Sequence, residues 1–147
     1  MRDIISNMQV KRAISPVSGA GSDAAQVSQI IDTQGYNSVG FLIATGSLAD
    51  VDATFTVLVE DGDDSGLSDA AAVADAGLVS QTLGTAPEAA AGFTFAADDN
   101  VRKIGYIGAK RYVRLTITPA SNTGAWLIAA VAVLGNPEHA PVIQAAA

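Results

Sequence analysis

Alternation of apolar and polar residues with a period of two is what most restricts the folds open to this chain. Residues 38–45 set Val39, Phe41 and Ile43 on one side, 53–60 do so with Phe55, Val57 and Val59, and 111–118 with Val113, Leu115 and Ile117. Successive side chains of a strand point to opposite faces, so each segment reads as a strand with one face in a core. Clusters of Gly, Asn, Asp, Ser and Pro separate them. About seven or eight such strands, at spacings of roughly 8 to 15 residues and with few helices, predict an all-β fold. The expectation is a single β-sandwich of jelly-roll or related Greek-key type, with extended N- and C-terminal arms. Its organisation would be an arm and loop over 1–25, the sandwich over 26–135 and an extended tail over 136–147.

The remaining segments fill in that outline. Residues 26–32 make the first good strand, stopped by Thr33-Gln34-Gly35, and Phe93 and Phe95 alternate in another. Residues 104–107 pair with 111–118 as a hairpin across Gly108-Ala109-Lys110. In its second arm Arg114 faces away from the core, displayed to solvent or a partner. The Ala-rich stretch 66–91 reads as a helical turn over 69–76 and a short strand over 78–83. Residues 125–134 are apolar on both parities: Trp126, Ile128 and Leu134 on one, Leu127, Val131 and Val133 on the other. A strand of that kind sits centrally or under a subunit contact.

Composition removes several function classes. With 147 residues, 49% of them apolar and 16% charged, the chain suits one folded domain rather than a disordered segment. It has no cysteine, so disulfides and thiolate metal sites are ruled out. Residues 1–12 lack the apolar run of roughly 7 to 15 residues that a signal peptide needs, and 125–134 is shorter than the roughly 20 of a membrane helix. Neither export by that route nor a membrane partner is expected. A net charge of −7 argues against nucleic acid, whose affinity comes from neutralising phosphates. Yet all eight basic residues fall within 2–12 and 102–114, while 13–101 holds acids and no Lys or Arg. Opposite-sign surfaces on one small protein favour contact with copies of itself or a charged neighbour.

Catalytic chemistry finds little to stand on. The single histidine, His139, lies between prolines in the tail, and no thiol accompanies it. Gly105-Tyr106-Ile107-Gly108 lacks the Lys-Ser/Thr and helix start of a phosphate loop, and reads as turn and bulge glycines. The strongest metal candidate is 61–66, with Asp61, Asp63 and Ser65 at the first, third and fifth places of a calcium-type loop and glycine at the sixth. Its twelfth place is Ala72, where such a loop requires a bidentate carboxylate, so an acidic turn between strands accounts for the same residues. Asp50/Asp52 and Asp98/Asp99 are adjacent acids of the kind that form turns. No cofactor and no enzymatic activity are expected. Aromatics amount to 5%, few for a sugar-stacking platform, and Trp126 reads as core.

Several blocks resemble a family of small virion proteins of tailed bacteriophages and prophages, found among head-structure genes. They are Ile31-Asp32-Thr33-Gln34-Gly35-Tyr36, then Asp98-Asp99-Asn100-Val101-Arg102-Lys103-Ile104-Gly105-Tyr106-Ile107-Gly108, then Lys110-Arg111-Tyr112-Val113-Arg114-Leu115-Thr116, and Ala132-Val133-Leu134-Gly135 through Pro137 to His139-Ala140-Pro141. The resemblance implies a capsid cement or decoration protein that binds the outside of the assembled head and bridges its subunits. The major capsid protein would be its partner, a homo-oligomer its form, with a trimer favoured, and the virion surface its location. Arg2, Lys11, Arg12, Arg102, Lys103, Lys110, Arg111 and Arg114 are the candidate contact residues, with Arg111 and Arg114 pairing acids on a neighbour. A head–tail junction or tail protein, and a carbohydrate-binding or host-adhesion sandwich, are the competing readings.

Overall fold

The computed structural model describes residues 3–143. Eleven strands form two antiparallel sheets packed face to face. One sheet runs β1 (Met8–Ala20), β11 (Ala125–Pro137), β4 (Tyr36–Leu48), β9 (Val101–Tyr106) and β7 (Leu78–Val79), in that spatial order. The other runs β2 (Gln26–Val27), β10 (Tyr112–Ala120), β5 (Thr54–Gly62) and β6 (Ala71–Ala72), with β3 (Ile31–Asp32) also on β10 and β8 (Phe93–Thr94) also on β5. We refer to them as the five-stranded sheet and the opposing sheet.

The alternating residues build the core as read. Val39, Phe41 and Ile43 of β4 face Phe55, Val57 and Val59 of β5 and Val113, Leu115 and Ile117 of β10, all buried. Within the five-stranded sheet size alternates between neighbours: Phe41 lies opposite Ala132, and Ile43 opposite Ala130. Small side chains on β11 leave the volume that large ones on β4 fill, which keeps the interior close-packed. At one end Phe55 stacks on Phe93 with centroids 4.7 Å apart and meets Trp126 edge-on at 6.5 Å. Gly19, opposite Trp126 on β1, is required there: a Cβ would stand 2.2 Å from the indole ring.

Five expectations are corrected. Residues 1–25 are not an arm and loop, because Met8–Ala20 is a long edge strand paired with β11. Its Pro16 and its register shifts between Arg12 and Ile14, and between Ile14 and Val17, break the alternation that would have marked it. A sheet edge tolerates both proline and bulges. Nor is residues 26–32 one strand. Buried Ser28 interrupts it, with its Oγ accepting from Leu115 N and donating to Gln29 O, while Gln29 N turns to Ala13 O on the other sheet. The segment thereby closes one side of the sandwich.

The third correction concerns the hairpin. β9 and β10 lie in different sheets, and the chain crosses the core edge between them. Tyr106 makes this corner: its hydroxyl accepts from Lys110 N and donates to Asp61 Oδ2 at 2.8 Å, and its ring lies where a Cβ on Gly108 would sit. Residues 66–91 close the far side, from β6 on the opposing sheet through a 3-10 turn at Asp75–Gly77 to β7, then α1 (Pro87–Ala91). Proline starts α1 where no N–H is needed. The expected strand over 78–83 is only Leu78–Val79, and Phe95 belongs to a 3-10 turn (Phe95–Ala97) rather than to a strand.

Candidate functional site

Most of the basic residues are already engaged within their own chain. Arg111 grips Asp32 with two donors, Nε to Oδ1 at 2.9 Å and Nη2 to Oδ2 at 2.8 Å, and its guanidinium lies 5.0 Å from the Tyr112 ring centre. Arg114 donates twice to Glu60 Oε2, at 3.1 and 2.8 Å, and Lys110 pairs with Asp63. Lys11 Nζ donates to Asp32 O. Arg102 reaches Ala90 O with Nη1, while its Nε is buried without a partner among the described residues. The Arg12 guanidinium lies beside the neutral amide of Gln29, and neither Arg12 nor the exposed Lys103 has an ion pair among the described residues. Arg2 lies outside the described residues. Arg111 and Arg114, expected to reach acids on a neighbour, instead hold acids of their own chain, because strand pairing brings them within reach: β10 lies between β3 and β5.

The acidic loop at 61–69 is likewise internally satisfied. Asp61 accepts from Tyr106, Asp63 pairs with Lys110, and Asp69 accepts from the N–H groups of Asp63 and Asp64. Asp64 accepts from Gly66 N and Ser68 N. These are turn-forming bonds. Among the described residues no group of three or more His, Cys, Asp or Glu side chains converges as metal ligands. Ser65 and His139 are both exposed, the histidine beyond the end of β11.

Electrostatics follows the same contacts. The Arg111 hydrogen bond holds Asp32 below the usual carboxylate range, and Asp32 raises Arg111 in return. Burial, with Asp61 second, pushes the Tyr106 hydroxyl well above its ordinary value. Asp50 is lowered to about 2 by the backbone N–H of Thr123, then that of Asp52 and the Thr123 hydroxyl. It therefore stays ionised across the physiological range while bracing the turn 49–53.

The surface left unsatisfied is apolar. The outer side of the five-stranded sheet carries Leu127, Ala129, Val131 and Val133 from β11, Gly40, Leu42 and Ala44 from β4, and Val101 and Gly105 from β9. Leu127 is 48% exposed and Val101 63%. One row crosses four strands as Arg12, Val131, Leu42 and Lys103, so cations border the patch on both sides. No outward-facing position of this sheet over those strands is an acid, in a chain with 15 acidic residues. At its centre, Leu42, Ala44, Val101, Ala129, Ala130 and Val131 line an apolar depression of about 230 Å³. The doubly apolar pattern of 125–134 is the signal for it: the expectation of a strand buried on both faces is corrected, since β11 lies between β1 and β4 with only one of its faces buried.

Comparison with known proteins adds little. No protein-family model and no curated protein matches this chain. Among solved structures it is similar to a family two carbohydrate esterase from Cellvibrio japonicus, at a TM-score of 0.35 and 10% identity. The match covers 92% of this chain and 36% of the esterase, a likeness at which neither fold nor activity transfers. The two packed antiparallel sheets make the fold an all-β sandwich. No helix among the described residues is long and apolar enough to cross a membrane.

Proposed function

We propose that this chain is a structural virion protein of a tailed phage or prophage, a capsid decoration protein that binds the outside of the assembled head and bridges its subunits. The observation that carries the assembly part of this reading is the acid-free apolar face of the five-stranded sheet. Contiguous apolar surface on a compact domain marks a protein-binding site, and no acid breaks this one. The resemblance of the blocks around 31–36, 98–116 and 132–141 supplies the virion and the head. A rigid sandwich with a broad docking face suits a protein that acts by occupying many equivalent positions, each contact modest and the number large.

Composition of purified particles tests it. Quantitative gels and cryo-electron microscopy are expected to find the protein on the head exterior in hundreds of copies, beside the major capsid protein. Absence from virions sinks the reading, and a few copies at one vertex move it to the head–tail junction.

A further inference from the structure

The chemical complement of the apolar depression, an exposed apolar side chain flanked by acids, is present on the same chain. The turn between β4 and β5 exposes Val51, 63% accessible, between Asp50 and Asp52. Of the other well-exposed apolar side chains at loop tips, Leu83 is flanked by Thr82 and Gly84, and Ile107 by Tyr106 and Gly108. Only the Val51 tip puts a carboxylate on both sides of its apolar knob.

That tip is braced. Asp50 Oδ2 accepts from Thr123 N at 2.6 Å and Thr123 Oγ1 at 2.8 Å, Asp50 Oδ1 accepts from Asp52 N, and Ala53 N closes the turn on Asp50 O. A held knob loses little freedom on docking. Asp23, Asp98 and Asp99 surround the same end of the sandwich: Asp23 holds Asn122 N, Asp98 holds Leu48 N, and Asp99 N bonds Gly46 O. This end is acidic throughout.

The depression is its complement. An apolar hollow floored by Ala44 and Ala129 lies in a sheet face bordered by Arg12 and Lys103, about 14 Å apart across three strand spacings. Stacking two such faces directly would oppose cation to cation. An acid-flanked apolar knob gives both apolar burial and attraction.

We infer that a second copy of this chain docks there, with Val51 in the depression and the Asp52 carboxylate directed at Lys103, while Asp50 stays on Thr123 and holds the knob in place. The contact is heterologous, knob to hole, and so passes from copy to copy around a ring or along a row. It rests on reading this face as a contact surface and not on the virion assignment.

The test uses the full-length protein in solution, by light scattering after size exclusion and by sedimentation. Wild type is expected to self-associate. Val51→Asp and Val131→Asp each are expected to weaken association by roughly 30-fold or more, as loss of a central apolar anchor does, with unchanged melting temperatures. Lys103→Glu and Asp52→Lys are each expected to dissociate alone and to associate when mixed, since every contact between unlike copies is then complementary. A monomeric wild type at the highest soluble concentration overturns the proposal. So does association that Val131→Asp abolishes but Val51→Asp leaves intact, or that Leu83→Ser abolishes instead, or a charge-reversed mixture that stays monomeric. Particle composition is a separate measurement, so failure here leaves the virion reading standing and the reverse holds too.

Discussion

The two outer faces of the sandwich differ in strand length, with three strands of 13 residues in one sheet against two of 9 in the other, and they differ in chemistry. The five-stranded sheet presents Leu42, Ala44, Val101, Leu127 and Val131, whereas the opposing sheet presents mainly Thr54, Thr56, Thr116 and Thr118 with the Arg114–Glu60 pair, its apolar outward residues including Leu58 and, at the edge, Val27. Both faces derive from period-two strands with the same kind of buried side. What differs is the outward residue, and with it whether the face is complete in water. Threonine suits a strand by its branched Cβ and satisfies its hydroxyl in solvent, so that face needs no partner. The other leaves apolar area uncovered.

The largest expected effects test whether the inward sides are equivalent. Phe41→Ala in one sheet and Leu115→Ala in the other, both fully buried, should each cost about 3–5 kcal/mol in chemical denaturation. A loss below about 1 kcal/mol in one sheet alone would break the symmetry of the core on which the comparison depends.

Acid should act through the loops and the polar face, and not through the apolar one. Asp32, Asp50, Asp64 and Asp69 all have native carboxyls below their ordinary value of 3.8, Asp50 at about 2. As pH falls the unfolded chain takes up protons first, so stability present above about pH 4 drains away toward pH 2. Melting temperature should fall across that window, and Asp50→Asn should make the fall shallower. An unchanged slope in that variant would remove Asp50 from the account.

Smaller effects separate the outward sides. Glu60→Gln unpairs Arg114 at a site only 20–26% exposed, and should cost about 1 kcal/mol. Val131→Thr on the apolar face should change monomer stability by less than about 0.5 kcal/mol, because nothing among the described residues packs over it. If Val131→Thr costs more than Glu60→Gln, the apolar face contributes to folding and not only to contact.

Legibility in the sequence followed locality. The buried faces of β4, β5 and β10 could be read because alternation is a property of consecutive residues. Which strand lies beside which is not, and the adjacency of residues 104–107 and 111–118 suggested a pairing that the Tyr106 corner forbids. The same limit applied to the site. Arg114 and Glu60 stand 54 residues apart and meet only because β10 lies against β5, so a cation that reads as displayed is already paired. The apolar parity of Leu127 and Val131 was visible, as was the option of a subunit contact. The cations bordering it were not visible as a border, because Arg12 and Lys103 share a row only through the register of four strands.

The irregular edge strand β1 sets a rule for crowding. Its Pro16, its two register shifts and the capture of Ala13 O by Gln29 N leave no long straight run of free backbone groups for a foreign strand to extend. Molecules held shoulder to shoulder at high local density are thus denied the cross-β route, and neighbours must meet through side chains. Substitutions that straighten β1 would open that edge to strand addition and fibre growth.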